Sequence, residues 1–242
     1  MYILYFLYCN EKLDMDNKQK FRFEFKYYIK QNIYNHLLRD LLVFTDFDKN
    51  CDPINKSYKV NSIYLDNHLM RSYRQKISGE KNRTKIRFRT YDSIKKKNFT
   101  LELKIRSGDK LKKESIKQNP YKKIINKKNV ASRIAYQMQK FENYSKKLLI
   151  SYDRIALHDK INKQLRITID SNLFTNRYIA SKKFGMKIRI IPFNFRILEI
   201  KSTENIPHWL IYLIKKYNLI KNPISKYAIS MRKLSENYSL EL

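Results

Sequence analysis

Eight segments of this chain alternate with period 2, and in several of them one face is apolar while the other repeats arginine and lysine. Successive strand side chains point to opposite faces, so such alternation specifies half-buried strands. The segments are 21–28 (FRFEFKYY), 58–66 (YKVNSIYLD), 84–91 (TKIRFRTY), 99–106 (FTLELKIR), 148–156 (LLISYDRIA), 164–170 (QLRITID), 186–191 (MKIRII) and 195–202 (FRILEIKS). Helical periodicity is expected at 30–43, 67–78, 130–142, 207–217 and 224–234, with Pro207 suited to a helix start. Residues 92–98 read as a polar hairpin loop, and the basic stretch 110–129 around Pro120 as a loop.

The faces separate cleanly. Phe21, Phe23, Phe25 and Tyr27 oppose Arg22, Glu24 and Lys26; Ile86 and Phe88 oppose Lys85, Arg87 and Arg89, with Arg83 just before. Leu101, Leu103 and Ile105 oppose Glu102, Lys104 and Arg106, and Leu165, Ile167 and Ile169 oppose Arg166, Thr168 and Asp170. Near the last strand, Leu198 and Ile200 alternate with Glu199 and Lys201. An ordinary solvated sheet face mixes Thr, Ser and Gln with scattered charges. Here cations recur strand after strand with a few carboxylates between them.

The chain has 242 residues, with 52 Lys+Arg against 22 Asp+Glu and a net charge of +30. That surplus calls for a polyanion: nucleic acid, an anionic membrane or phosphates. A hydrophobic content of 43% excludes wholesale disorder, and 3 glycines exclude a collagen-like chain. Part of the lysine excess is compositional, in a chain also heavy in Asn and Ile. Cys9 and Cys51 have no partner at metal-ligand spacing, which argues against structural zinc and a disulfide scaffold. His36, His68, His158 and His208 are scattered and receive no chemical role. The apolar start, residues 1–9, is too short to span a bilayer and lacks the features of a signal peptide. We expect an N-terminal extension at 1–17, with translation starting at Met15, one domain at 18–234 and a tail at 235–242. A cytoplasmic location is the expectation.

Closing these strands into a barrel with helices outside would turn the charged face inward. An eight-stranded barrel has room for side chains or one small ligand. Inward-facing cations in that number require a polyanion to neutralise them. Arginine offers bidentate contacts to phosphate oxygens, lysine a point charge, and interspersed carboxylates a place for a divalent metal. The aromatics of these strands fall mostly on the apolar face, so no stacking platform for single-stranded nucleic acid is expected.

The ordered motifs resemble the polyphosphate polymerase (VTC, vacuolar transporter chaperone) domain of the triphosphate tunnel metalloenzyme superfamily. They are Arg22-x-Glu24-x-Lys26-Tyr27, the 58–67 strand with Tyr73, Lys76 and Gly79, Arg83-x-Lys85-x-Arg87-x-Arg89-x-Tyr91 and Leu101-Glu102-Leu103-Lys104. Tyr152-Asp153-Arg154, Arg166-Ile167-Thr168-x-Asp170, Leu198-Glu199-Ile200-Lys201 and Ser225-Lys226-Tyr227 complete the set. The resemblance implies an α+β fold: a closed antiparallel eight-stranded β-barrel with a charged lumen and flanking helices. It implies transfer of the ATP γ-phosphoryl group onto polyphosphate, with Mn²⁺ or Mg²⁺ as cofactor. Lys26, Arg87, Arg89, Lys104, Arg154, Arg166 and Lys226 would be catalytic; Lys85, Lys201 and either Lys112 or Lys113, with Lys113 favoured, would bind phosphate. Glu199 would hold the metal, supported by Glu24, Glu102 and Asp170. Hydrolases of the superfamily begin Glu-x-Glu-x-Lys; Arg22 at the first position favours the polymerase branch over a triphosphatase. A non-catalytic phosphate binder is the remaining alternative. The implied partners are ATP and polyphosphate, with a membrane protein as a further candidate partner.

Overall fold

The computed structural model describes residues 23–91, 99–108, 110–117, 144–179 and 183–238. The expected loop at 92–98, the expected helix at 130–142, Arg22 and Met15 lie outside them.

One antiparallel sheet organises the chain. Its main path runs through β1 (Phe23–Lys30), β11 (Phe195–Ser202), β8 (Arg166–Ile179), β7 (Ser145–Asp159), β3 (Tyr58–Asp66), β4 (Arg83–Thr90), β5 (Thr100–Ser107) and β6 (Lys110–Lys117). Short strands β2 (Thr45–Phe47), β9 (Lys183–Phe184) and β10 (Ile188–Arg189) attach to β7 and β8. Four helices among the described residues accompany the sheet: α1 (Gln31–Phe44), α2 (Arg71–Ile77), α3 (His208–Lys216) and α4 (Lys226–Tyr238). The fold is α+β, as the resemblance implies.

The sheet curls into a half-barrel but does not close, which corrects the expected barrel. Among the described residues β1 and β6 share no ladder. The free side of β1 is covered instead by the chain before α4: Tyr27 bridges Lys221, the Asn222 amide donates to the Lys26 carbonyl at 2.8 Å, and Lys26 Nζ donates to the Ile224 carbonyl at 3.2 Å. The free side of β6 carries lysines, which discourage pairing. Among the described residues the seam is spanned by side chains, Lys104 of β5 meeting Glu24 of β1 at 3.0 Å.

Two bends produce the curl. The β7–β8 register shifts between Ser151 and Asp153, opposite Asn172 at φ 50°, and the β3–β7 register shifts at Tyr64/Leu65. A bulge of this kind bends the strand and strengthens its twist. It also breaks the alternation, so β7 and β8 extend to 15 and 14 residues, well past the expected 148–156 and 164–170.

The convex face is covered by apolar packing. Leu37 and Leu41 of α1 and Leu210 and Leu213 of α3 bury against Tyr27, Ile29, Ile167, Leu198 and Ile200. Ile63, Ile86, Phe88, Leu101 and Leu103 form a second outer cluster. On the concave side, α4 fills one end: Tyr227, Met231 and Leu234 pack on Val60, Ile150, Tyr152 and Ile197. Residues 110–117, expected as loop, form β6; with lysines on both faces the segment carries no period-2 signal. The expected strand 186–191 shrinks to the two residues of β10.

Candidate functional site

The rest of the concave face is a cavity of about 660 Å³. β4 carries its centre. Ile86 and Phe88 are locked into the outer core, so the same alternation aims Lys85, Arg87 and Arg89 inward. Glu24 and Lys26 of β1, Glu102 and Lys104 of β5, Arg154 of β7, Glu199 and Lys201 of β11 and Lys226 of α4 line the same space.

These groups are wired together. Arg87 donates through Nε to Glu102 at 2.7 Å and through Nη1 to Tyr64 Oη at 2.9 Å. Lys113 reaches the other Glu102 oxygen at 2.6 Å. Lys113 stands opposite Lys104 on the concave side, whereas Lys112 faces outward and pairs with Glu114 at 3.2 Å. Arg89 donates to Ser62 Oγ at 3.2 Å and Tyr152 Oη at 3.4 Å. Arg154 grips Asp170 bidentately at 2.6 and 2.8 Å, and Lys226 reaches the same carboxylate at 2.7 Å. Glu24 holds Lys26 at 2.8 Å and Lys104 at 3.0 Å, and Glu199 holds Lys201 at 2.5 Å.

Burial and neighbouring charge set the ionisation. Burial resists ionisation of Glu24, but Lys26, Lys104 and Lys201 outweigh it and hold the carboxyl at about 2. Burial likewise opposes ionisation of Glu102 and Glu199, and in each the surrounding cations win and hold the group well below the usual range. Burial lowers Lys26, yet Glu199 and Glu24 raise it overall. Lys85 differs: burial and then Lys26, Lys104, Lys76 and Arg83 all push it down, to about 7. Lys201 falls to about 8 through burial and Arg154, despite Glu199.

A basic cavity walled by these motifs coincides with the extent of a known domain: the VTC domain family matches residues 21–235. The chain belongs to that family. No curated protein sequence matches the chain. A candidate adenylate cyclase from Bacillus halodurans shares 11% identity and a TM-score of 0.49 over 85% of this chain and 94% of that one. The Schizosaccharomyces pombe Mediator head module scores 0.38 at 7% identity, over 90% and 94% of the two chains. The Mimivirus capping enzyme triphosphatase scores 0.33 at 16% identity, over 86% and 94%. Likenesses this distant carry no functional argument.

In this VTC domain the cavity gathers the expected site residues except three. Asp170 is fully buried behind Arg154 and Lys226. Lys113 sits beside the cavity on Glu102. Arg166 turns to the far end of the concave face, donating to Asp48 at 3.1 Å and Tyr58 Oη at 3.3 Å, where His158 Nε2 also lies 2.7 Å from Asp48. The cavity adds residues without an assigned role: Tyr64, Tyr152, Tyr227, Lys76, Arg83, Arg106 and Ser225. Tyr64 sits in the inward phase of β3, so the alternation itself held the signal.

Among the described residues no three His, Cys, Asp or Glu side chains converge as a metal site. Glu24 and Glu199 both face the cavity, however. Thr168, paired with Glu199 in the ladder, has a buried Oγ1 without a partner among the described residues. Such oxygen donors fit a hard cation that takes one or two protein carboxylates and completes its shell with substrate phosphates and water. No helix among the described residues is long and apolar enough to cross a membrane.

Proposed function

We propose that this VTC domain is a metal-dependent polyphosphate polymerase, transferring the γ-phosphoryl group of ATP to the end of a polyphosphate chain and releasing ADP. The supporting observation is the convergence of Lys26, Lys85, Arg87, Arg89, Lys104, Arg154, Lys201 and Lys226 with Glu24 and Glu199 on one cavity. Phosphoryl transfer needs mainly positioning and neutralisation of charge. A terminal phosphate oxygen of the acceptor forms the new P–O bond to the γ-phosphorus. The bond from γ-phosphorus to the β–γ bridging oxygen breaks, and its electron pair leaves on ADP. The acceptor is already anionic, so no strong base is required.

Arg87 and Arg89 present planar donor arrays for bidentate contact with phosphate oxygens. Lys26, Lys104 and Lys201 exchange part of their carboxylate contact for substrate. Glu199, with Glu24 and Thr168 Oγ1, would hold Mn²⁺ or Mg²⁺, which would neutralise phosphate charge when bound. Arg166, held by Asp48 and Tyr58, acts at the margin of this arrangement.

Incubation of the purified protein with ATP and Mn²⁺ tests the reading. Long phosphate polymer and ADP are expected. Orthophosphate without polymer would make the domain a triphosphatase, and salt-sensitive phosphate binding without turnover would make it a binder.

A further inference from the structure

Arg87 is held from both of its neighbouring strands. In the ladders it stands opposite Tyr64 of β3 and Glu102 of β5. Glu102 Oε2 accepts from Arg87 Nε at 2.7 Å and lies 2.6 Å from Nη2, so the carboxylate takes one edge of the guanidinium. Tyr64 Oη accepts from Nη1 at 2.9 Å. An arginine has five N–H donors and no acceptor. Contacts to all three nitrogens, made from two strands, fix both the place and the plane of the group. A carboxylate on one side alone would leave the guanidinium free to swing toward β5. Tyr64 is itself fixed. Its ring stacks on Tyr227 at 5.1 Å, with 19° between the planes. Tyr227 Oη donates to Asp66, two residues from Tyr64 on β3, at 2.7 Å. Asp66 also accepts the amides of Asn67, Ser72 and Tyr73. The Tyr64 phenol differs from its buried counterparts. In Tyr27 and Tyr227 burial pushes the phenol up, aided in Tyr227 by Asp66. Burial acts on Tyr64 in the same sense, but Arg87 and Arg89 outweigh it and lower its proton affinity.

We propose that Tyr64 is a positioning residue for phosphoryl transfer: its hydroxyl, held by the Tyr227 stack, keeps the Arg87 guanidinium in the plane from which it meets the transferring group. The reaction itself rests on the polymerase reading. A guanidinium fork engages two phosphate oxygens only when its plane is correct. Small misplacements of a group that stabilises charge cost large factors in rate. Glu102 supplies charge to Arg87 from one side, and Tyr64 supplies the second fixed point that sets the angle. The hydroxyl acts through Arg87, so its worth depends on an arginine being there.

A double-mutant cycle tests this. Tyr64→Phe removes the hydroxyl and keeps the ring on Tyr227. Arg87→Lys keeps the charge and loses the fork. The kcat and KM for ATP and the calorimetric affinity for tripolyphosphate are measured for the parent, both single variants and the double variant, at a temperature where circular dichroism shows all four folded. Tyr64→Phe alone should lower kcat at least about tenfold. On the Arg87→Lys background it should change kcat by less than about twofold, because the group it positions is gone. Equal factors on the two backgrounds, the result for a tyrosine that serves only the fold, overturn the proposal, and so does no loss on either. Tripolyphosphate affinity reads the same coupling without turnover: Tyr64→Phe should weaken it at least about threefold in the parent and leave it unchanged beside Arg87→Lys. Coupling in affinity from a protein that makes no polymer keeps the positioning role and removes the polymerase. Polymer without coupling does the reverse.

Discussion

Two stretches of the cavity wall hold cations in opposite ways. Where β7, β8 and α4 meet, Arg154 and Lys226 share the fully buried Asp170, so the charges are satisfied within the protein. Along the near ends of β4 and β5, Lys85 and Arg83 face Lys104 and Arg106 across the ladder. Removing one member of a buried ion pair strands the rest without solvent, whereas removing one of two opposed cations relieves repulsion. The first stretch answers its cations with a buried anion, and the second sets like charges against one another. A basic residue lining a cavity is not thereby a ligand contact; its partner in the empty site decides.

The contrast breaks most readily at Asp170. Asp170→Asn should lower unfolding free energy by ~3–5 kcal/mol, because Arg154 and Lys226 remain buried without their anion. Urea unfolding measures this, and a loss under about 1 kcal/mol would show that Arg154 and Lys226 do not depend on Asp170 for their place in the fold.

Next comes the anchor of α4. Tyr227 Oη donates to Asp66 at 2.7 Å, and Asp66 also accepts the amides of Ser72 and Tyr73 at the start of α2. Tyr227→Phe should cost ~1.5–3 kcal/mol, the range for a hydrogen bond to a charged group. Because α4 and α2 carry Lys226 and Lys76, the same variant should raise the KM for ATP. Unaltered stability and KM together would remove Asp66 as the link between the helices.

The cavity's carboxylates and its buried lysines should respond to pH in separate windows. Glu24, at about 2, and Asp170, also lowered, stabilise the folded state above the ordinary carboxylate pKa and stop doing so as pH falls through their folded values. Stability should therefore decline steadily below about pH 4. Lys85 at about 7 and Lys201 at about 8 are lowered as well, in a higher pH window. Above these values the unfolded chain binds more protons than the folded one until the ordinary lysine pKa is reached, so stability rises with pH across that window. Lys26, raised, keeps its proton there and does not oppose the trend. Denaturant midpoints at pH 7 and pH 9 would show the rise; a fall would contradict the cationic assignment. The smallest effect belongs to an exposed pair. Lys233→Ala on α4 breaks a surface bridge to Glu236 and should leave the denaturant midpoint essentially unchanged.

The alternation made the central strands legible, because one residue in two meets a core and the other meets a cavity. Lys85, Arg87, Arg89, Glu102, Lys104, Glu199 and Lys201 follow from phase alone. The extensions of β7 and β8 did not, because the bulge opposite Asn172 resets that phase. β6 escaped because an edge strand with lysines on both faces has no apolar side to announce it. Tyr64 and Tyr152 pack in the core, and their hydroxyls also reach Arg87 and Arg89. Arg166 lies on the expected face, yet Asp48, from a segment far away in sequence, draws it aside. Closure was illegible for a similar reason: only the folded chain brings Lys221–Ile224 against the edge that β6 would have needed.

The seam between β1 and β5 has a mechanical meaning. A closed barrel has its bore dictated by strand number and shear, and a polymer inside it must be threaded from an end. Among the described residues this seam is fastened by the Lys104–Glu24 contact, not by a backbone ladder. A fastening made of two flexible side chains releases without breaking any strand pairing, and phosphate is a natural competitor for the lysine. A groove of that construction can change its width at the seam while every strand ladder of the sheet stays intact.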